Sequence, residues 1–104
     1  MSKRLAYLEK LTTEGSTDPF HWYCLAQEYR SAERVDDALT TFTKLRETNA
    51  DYVPMYLMCG QMLEGASRTN DAREWLTTGA AVAKKKGDSH ALGEIEGVLA
   101  TLGA

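Results

Sequence analysis

Apolar residues recur along this chain three or four positions apart, the spacing of one helix face, and never with the alternation a strand requires. Leu5, Leu8 and Leu11, with Ala6 and Tyr7 beside them and Lys3, Arg4, Glu9 and Lys10 between, predict a short amphipathic helix that Gly15 ends. Asp18 and Pro19 mark the next start, because aspartate caps free amides and proline fits a first turn whose amides have no helical partner. From there Trp22, Leu25, Ala26 and Tyr29 lie along one side of a helix reaching Ser31. A polar break at Glu33 and Arg34 leads to Asp36 and Asp37, whose charge favours a helix N-terminus, and Ala38, Leu39, Phe42 and Leu45 then keep helical spacing.

The second half repeats this grammar. Asn49, Ala50 and Asp51 make a turn, and Pro54 begins a helix carrying Tyr56, Cys59, Gly60 and Leu63 as far as Gly65. Asn70 and Asp71 open another, with Ala72, Leu76, Ala80 and Ala83 facing inward and Lys84, Lys85 and Lys86 complementing its negative end. Gly87 stops it. Asp88 or Ser89 caps a last helix striped by Leu92, Ile95, Val98, Leu99 and Leu102. Six helices with short connections predict an all-α fold of antiparallel neighbours.

Two stretches match at an offset of 34 residues: Trp22 falls on Tyr56, Ala26 on Gly60, Asp37 on Asp71, Ala38 on Ala72 and Phe42 on Leu76. A fixed period of this length is the mark of stacked helical hairpins, each burying its apolar face on the next. The Ala26/Gly60 and Ala38/Ala72 positions stay small where helix axes approach closely, while Trp22/Tyr56 and Phe42/Leu76 fill the volume between hairpins. The order Trp22, Leu25, Ala26, Tyr29, Ala38, Phe42 resembles the tetratricopeptide repeat signature, W-x2-L-G-x2-Y followed by A-x3-F. The resemblance is good over residues 19–52 and weaker over 53–86, where Cys59 replaces leucine and Leu63 replaces tyrosine. Residues 3–14 resemble the lone second helix of a degraded preceding repeat. Residues 89–102 resemble a C-terminal capping helix, although His90, Gly93 and Glu94 fit the signature badly. The resemblance implies one domain over 1–104, a short right-handed solenoid of about six helices.

In this family the first helix of each hairpin lines a concave groove that holds peptides or helices. Carried over by position, the groove consists of Phe20, Tyr23, Cys24, Gln27, Arg30 and Ser31, then Pro54, Leu57, Met58, Gln61 and Glu64. Phe20, Tyr23, Leu57 and Met58 are dispensable to the hairpin core on this reading, so their apolar character points to a partner. Gln27 and Gln61 are amides able to bond an extended backbone, or solvated groups. Positions that in some relatives hold a lysine and asparagine clamp for a carboxylate tail are here Tyr23, Gln27 and Met58, so that mode is not expected. The expectation is therefore a protein-interaction adaptor binding a peptide or helix of a partner protein. Two other readings stand beside it: self-association as a homodimer through the same groove, and coverage of the groove by the chain's own terminal helices.

Composition narrows the remaining classes. The 104 residues are 43% apolar and 26% charged, ordinary usage for one globular domain, and a net charge of -3 with both signs interspersed offers no field for nucleic acid. No apolar run approaches the roughly 20 residues of a membrane span, and residues 1–10 lack the apolar region of a secretory signal, so a cytoplasmic protein is expected. Cys24 and Cys59 then read as reduced, packed thiols. Neighbouring Asp36 and Asp37 diverge by about 100° on a helix and cannot converge on one reacting atom. His21 and Cys24 would be two metal ligands without a third. No phosphate loop, nucleophile elbow or dinucleotide fingerprint occurs. Neither enzyme activity nor a cofactor is expected.

Overall fold

The structure, a computed structural model, describes residues 2–103. Among them the backbone forms six helices and no strand: α1 (Lys3–Thr13), α2 (Pro19–Ser31), α3 (Val35–Thr48), α4 (Pro54–Gly65), α5 (Thr69–Lys86) and α6 (Ser89–Thr101). They gather into two compact units, the first ending at Asn49 and the second beginning at Ala50.

In the first unit α2 packs against both α1 and α3. Ser2 starts α1 by accepting the Leu5 amide at 3.0 Å, and Asp18 starts α2 by accepting the Phe20 amide at 2.9 Å, ahead of which Pro19 needs no partner. Leu5 and Leu8 of α1 are buried against Cys24 and Leu25 of α2, with Leu11 and Tyr29 packed at the margin. Tyr29 closes that margin: its hydroxyl donates to Glu9 Oε2 at 2.5 Å, and the Arg34 guanidinium lies 4.7 Å from its ring centre. Burial, then the Glu9 hydrogen bond and charge, push the Tyr29 hydroxyl up to about 12, with Arg34 opposing and Asp37 adding to them.

The turns between paired helices repeat residue for residue. Glu33 follows α2 at φ 60° and Ser67 follows α4 at φ 62°, both in left-handed backbone that L side chains adopt at a cost. The Arg34 and Arg68 amides then reach back to the Tyr29 and Leu63 carbonyls at 2.9 and 2.8 Å. Each arginine also begins the next helix. The Arg34 and Arg68 carbonyls accept the Ala38 and Ala72 amides, and their side chains pair with Asp37 and Asp71 at 2.8 and 3.2 Å. For this reason α3 and α5 begin at Val35 and Thr69, ahead of the acidic residues that the sequence marks as their starts.

In the second unit α5 packs against α4 and α6, and α6 also touches α4. A side-chain carbon added at Gly60 would lie 2.5 Å from the Leu76 side chain, and one at Gly79 would collide with the Tyr56 Cβ, so both glycines are required by the close approach of α4 and α5. Tyr56 is 1% exposed and meets Trp75 with ring centres 5.9 Å apart. Val53, Leu76, Ala83 and Ile95 form the buried cluster, surrounded by half-buried Leu57, Leu92, Val98, Leu99 and Leu102.

Trp22 and Tyr56 do more than fill volume. The Trp22 indole donates to the Ser16 carbonyl at 2.8 Å and the Tyr56 hydroxyl to the Ala50 carbonyl at 2.6 Å, so each ring ties down the turn leading into its own helix. Trp22 itself is only half-buried, against the sequence expectation of a core residue; its hydrogen bond and the Lys44 ammonium over its ring are what hold it.

Candidate functional site

On α2, successive residues turn by about 100°, which separates two faces. Trp22, Leu25, Ala26 and Tyr29 share the packed side. Phe20, Tyr23, Gln27 and Arg30 share the other, at spacings of three and four. Phe20 is 55% exposed, while Tyr23, Gln27 and Arg30 are half-buried. Burial raises the Tyr23 hydroxyl above its ordinary value, the adjacent Cys24 thiol adds to the rise and Arg30 opposes it. The Gln27 Oε1 atom is out of solvent reach and accepts no hydrogen bond. Cys24, which the sequence also assigns to this face, is 8% exposed and packed between Leu5 and Leu8. The covering element is α1, so the thiol is part of the packing between α1 and α2 and has little surface to offer. Ser31 is exposed at the end of the helix.

On α4 the equivalent face carries Pro54, Leu57, Met58, Gln61 and Glu64. Pro54 and Glu64 are exposed, and Leu57, Met58 and Gln61 are half-buried. Leu57 also packs against the cluster of Val53, Leu76, Ala83 and Ile95. That corrects the expectation that Leu57 is dispensable: α6 folds against α4 and draws this side chain into the second unit's core.

The residues with apparent chemistry are placed apart. Asp36 is exposed, and exposed Asp37 pairs with Arg34. His21 Nδ1 lies 2.7 Å from the Ser16 hydroxyl and Nε2 3.7 Å from Asp18, inside the turn preceding α2, whereas the neighbouring Cys24 is buried in the α1 contact. Lys84, Lys85 and Lys86 are exposed at the end of α5. Among the described residues no helix is long and apolar enough to cross a membrane, and no three His, Cys, Asp or Glu side chains converge on a point where a metal ion could sit.

Sequence reasoning missed Trp75. It is 5% exposed, one residue before the repeat position of Leu76, and its signal is a large aromatic side chain on the flank of the α5 stripe. It also missed Tyr7, a large apolar side chain 62% exposed on α1.

Comparison with solved structures places the arrangement among known proteins. The solution structure of a tetratricopeptide repeat domain protein from Salinibacter ruber is 34% identical, superposes with a TM-score of 0.79, and is matched over 84% of this chain and 88% of that one. A crystal structure of a tetratricopeptide repeat domain protein from the same organism gives 35% identity and a TM-score of 0.75, over 82% of this chain and 96% of that one. A Bordetella parapertussis protein known from its solution structure shares the fold at 24% identity, with a TM-score of 0.83 over 98% of this chain and 89% of that one. No family model matches the sequence, and no curated protein matches it significantly.

Proposed function

The chain belongs to the tetratricopeptide repeat family, and we propose that it is an adaptor that takes a peptide or helix of a partner protein on the outer face of α2. A helical-repeat interaction module follows from the family; the mode of binding is our own reading. The observation that carries it is Phe20, a large apolar side chain left 55% exposed on the α2 face that points away from the packing of its unit. An aromatic ring kept in water gains roughly 1.5–3 kcal/mol when a partner covers it, and exposed aromatics of this kind are where binding energy concentrates. Tyr23, Gln27 and Arg30 extend the same face; within the second unit, α4 carries its own equivalent set, Met58, Gln61 and Glu64. The proposed site is cytoplasmic in setting and uses no cofactor.

The test separates binding from folding. Proteins captured on the wild-type chain are identified, the bound segment of each is purified, and its affinity is compared between wild type and Phe20→Ala by calorimetry. Phe20→Ala is expected to lower affinity tenfold or more, that is by roughly 1.4 kcal/mol or more, with an unchanged thermal melt. An unchanged affinity sinks the proposal. Sedimentation across a concentration series is the companion measurement: self-association that Phe20→Ala abolishes would assign the face to a second copy of this chain instead.

A further inference from the structure

The 34-residue offset places Tyr7 of α1 at the position of Thr41 in α3 and Trp75 in α5. Those two are 7% and 5% exposed, and Trp75 rests against Tyr56 of α4, the first helix of its own hairpin. Tyr7 is 62% exposed, because α1 holds the place of a second helix and among the described residues no first helix precedes it. By the same offset Arg4 stands where the buried Ala38 and Ala72 let two helices meet closely. A helix laid over Tyr7 therefore has to be slim along its own line of contact, and it has to answer a guanidinium.

The charges around Tyr7 narrow the occupant further. At about 100° per residue, Lys3 and Lys10 lie to one side of the ring and Arg4 to the other, all exposed. Arg4 also reaches Glu28 of α2 at 3.4 Å, whereas Lys3 and Lys10 pair with no carboxylate among the described residues. Glu9 is turned to Tyr29, so Glu14 at the helix end is the acidic group left beside three cations. The outer face of α6 has the opposite character. Gly93, Gly97 and Ala100 lie opposite buried Ile95 and are exposed. A side-chain carbon added at either glycine would meet nothing within 4 Å, so the packing of the second unit requires neither, and both weaken the helix that contains them. Exposed Glu94 and Glu96 flank this slim ridge on its two sides, with His90 3.1 Å from Glu94.

We infer that α6 of one chain docks on α1 of a second copy, the Tyr7 ring lying on the ridge of Gly93 and Gly97 and the two flanking glutamates facing the cations around the ring. The contact joins unlike faces, so association runs head to tail, continuing to further copies or closing into a ring. One helix against one helix is a small interface, which makes the association weak, on the order of 100 μM. It uses neither Phe20 nor the outer face of α2 and is independent of the function proposed above.

The experiment is sedimentation equilibrium of the full chain over a concentration series. The wild-type mass is expected to rise with concentration to that of a dimer or beyond, and to fall back when salt is added. Tyr7→Ala breaks one face and Gly97→Gln the other; both positions stand in solvent, so the dilute variants keep their helical content and cooperative melts. Each variant alone is expected to associate at least tenfold more weakly than wild type. An equimolar mixture of the two is expected to recover the association and to stop at the dimer, since one intact α1 face and one intact α6 face remain. A wild-type chain that stays monomeric up to about 1 mM overturns the inference. So does a mixture that stays monomeric, because like faces are then pairing with like. Association that Phe20→Ala abolishes and Tyr7→Ala leaves intact overturns it as well, giving the second copy the α2 face instead.

Discussion

Replacing Gly79 with alanine is, by local propensity alone, a stabilising change: it lies inside α5, where alanine is favoured over glycine by roughly 1 kcal/mol. The packing reverses the sign. The new carbon would collide with the Cβ and ring of Tyr56 and come within 3.3 Å of Ile95 Cδ1. Tyr56 has no way to retreat, since its hydroxyl is bonded to the Ala50 carbonyl, its ring rests near Trp75, and the atom struck is the one joined to the backbone. Relief requires α5 to move away from α4, and overpacking of this kind costs roughly 2–3 kcal/mol. The net expectation for Gly79→Ala is a loss of about 1–2 kcal/mol, lowering Tm by roughly 5–10 °C in a protein of this size. Gly97→Ala in α6 is the matched control, because nothing lies within 4 Å of the added carbon; it should stabilise by about 0.5–1 kcal/mol. Both are read by urea and thermal melts followed by circular dichroism. If Gly79→Ala is as stable as wild type, the close approach of α4 and α5 is not as tight as argued, and the account of the second unit's core fails.

Glu33→Gly and Ser67→Gly remove side chains from left-handed backbone and should each stabilise by about 0.5–1 kcal/mol, additively in the double variant; unchanged or lower urea midpoints would refute the strain. The Tyr29 hydroxyl is neutral when donating to Glu9, and its value in the fold, about 12, lies above the unfolded value of 10.0. Its contribution is therefore fully present below pH 10 and is lost as pH rises toward about 12. Tyr29→Phe should remove the late phenolate from an ultraviolet absorbance titration and flatten that part of the stability profile, and a late phenolate surviving in the variant would assign it to another tyrosine.

Helix positions were legible because their signals are local. Asp18 with Pro19 and Gly87 with Asp88 act through a single turn of backbone, and the apolar stripes show in the spacing of Leu5, Leu8 and Leu11 or of Ile95, Val98 and Leu102. The need for Gly60 to be small was legible because the 34-residue offset aligns it with Ala26, whereas the same offset sets Gly79 against Leu45 and gives no sign of the Tyr56 contact that requires it. The left-handed turns were hidden, since Glu33 and Ser67 carry side chains that ordinarily avoid that backbone and nothing nearby advertises it. Groove positions were only partly readable. Their assignment to one face of α2 or α4 follows from periodicity, but whether Cys24 and Leu57 remain open depends on how α1 and α6 fold back, and that is decided by contacts distant in sequence. Phe20 stayed exposed because it sits in the first turn of α2, ahead of the contacts that cover Cys24.

The paired ties made by Trp22 and Tyr56 bear on how such repeats can drift. What the two share is a polar hydrogen at the far rim of a ring, at the reach of a carbonyl six positions earlier. Selection on that geometry would preserve a bond while letting the letter change, so indole and phenol become synonyms and phenylalanine, the nearest relative of tyrosine by shape, becomes the costly misspelling. Similarity scored by side-chain type would rank the substitutions the other way round. A scoring scheme for degenerate repeats that rewarded this rim donor would recognise more distant copies than one that rewards aromatic bulk.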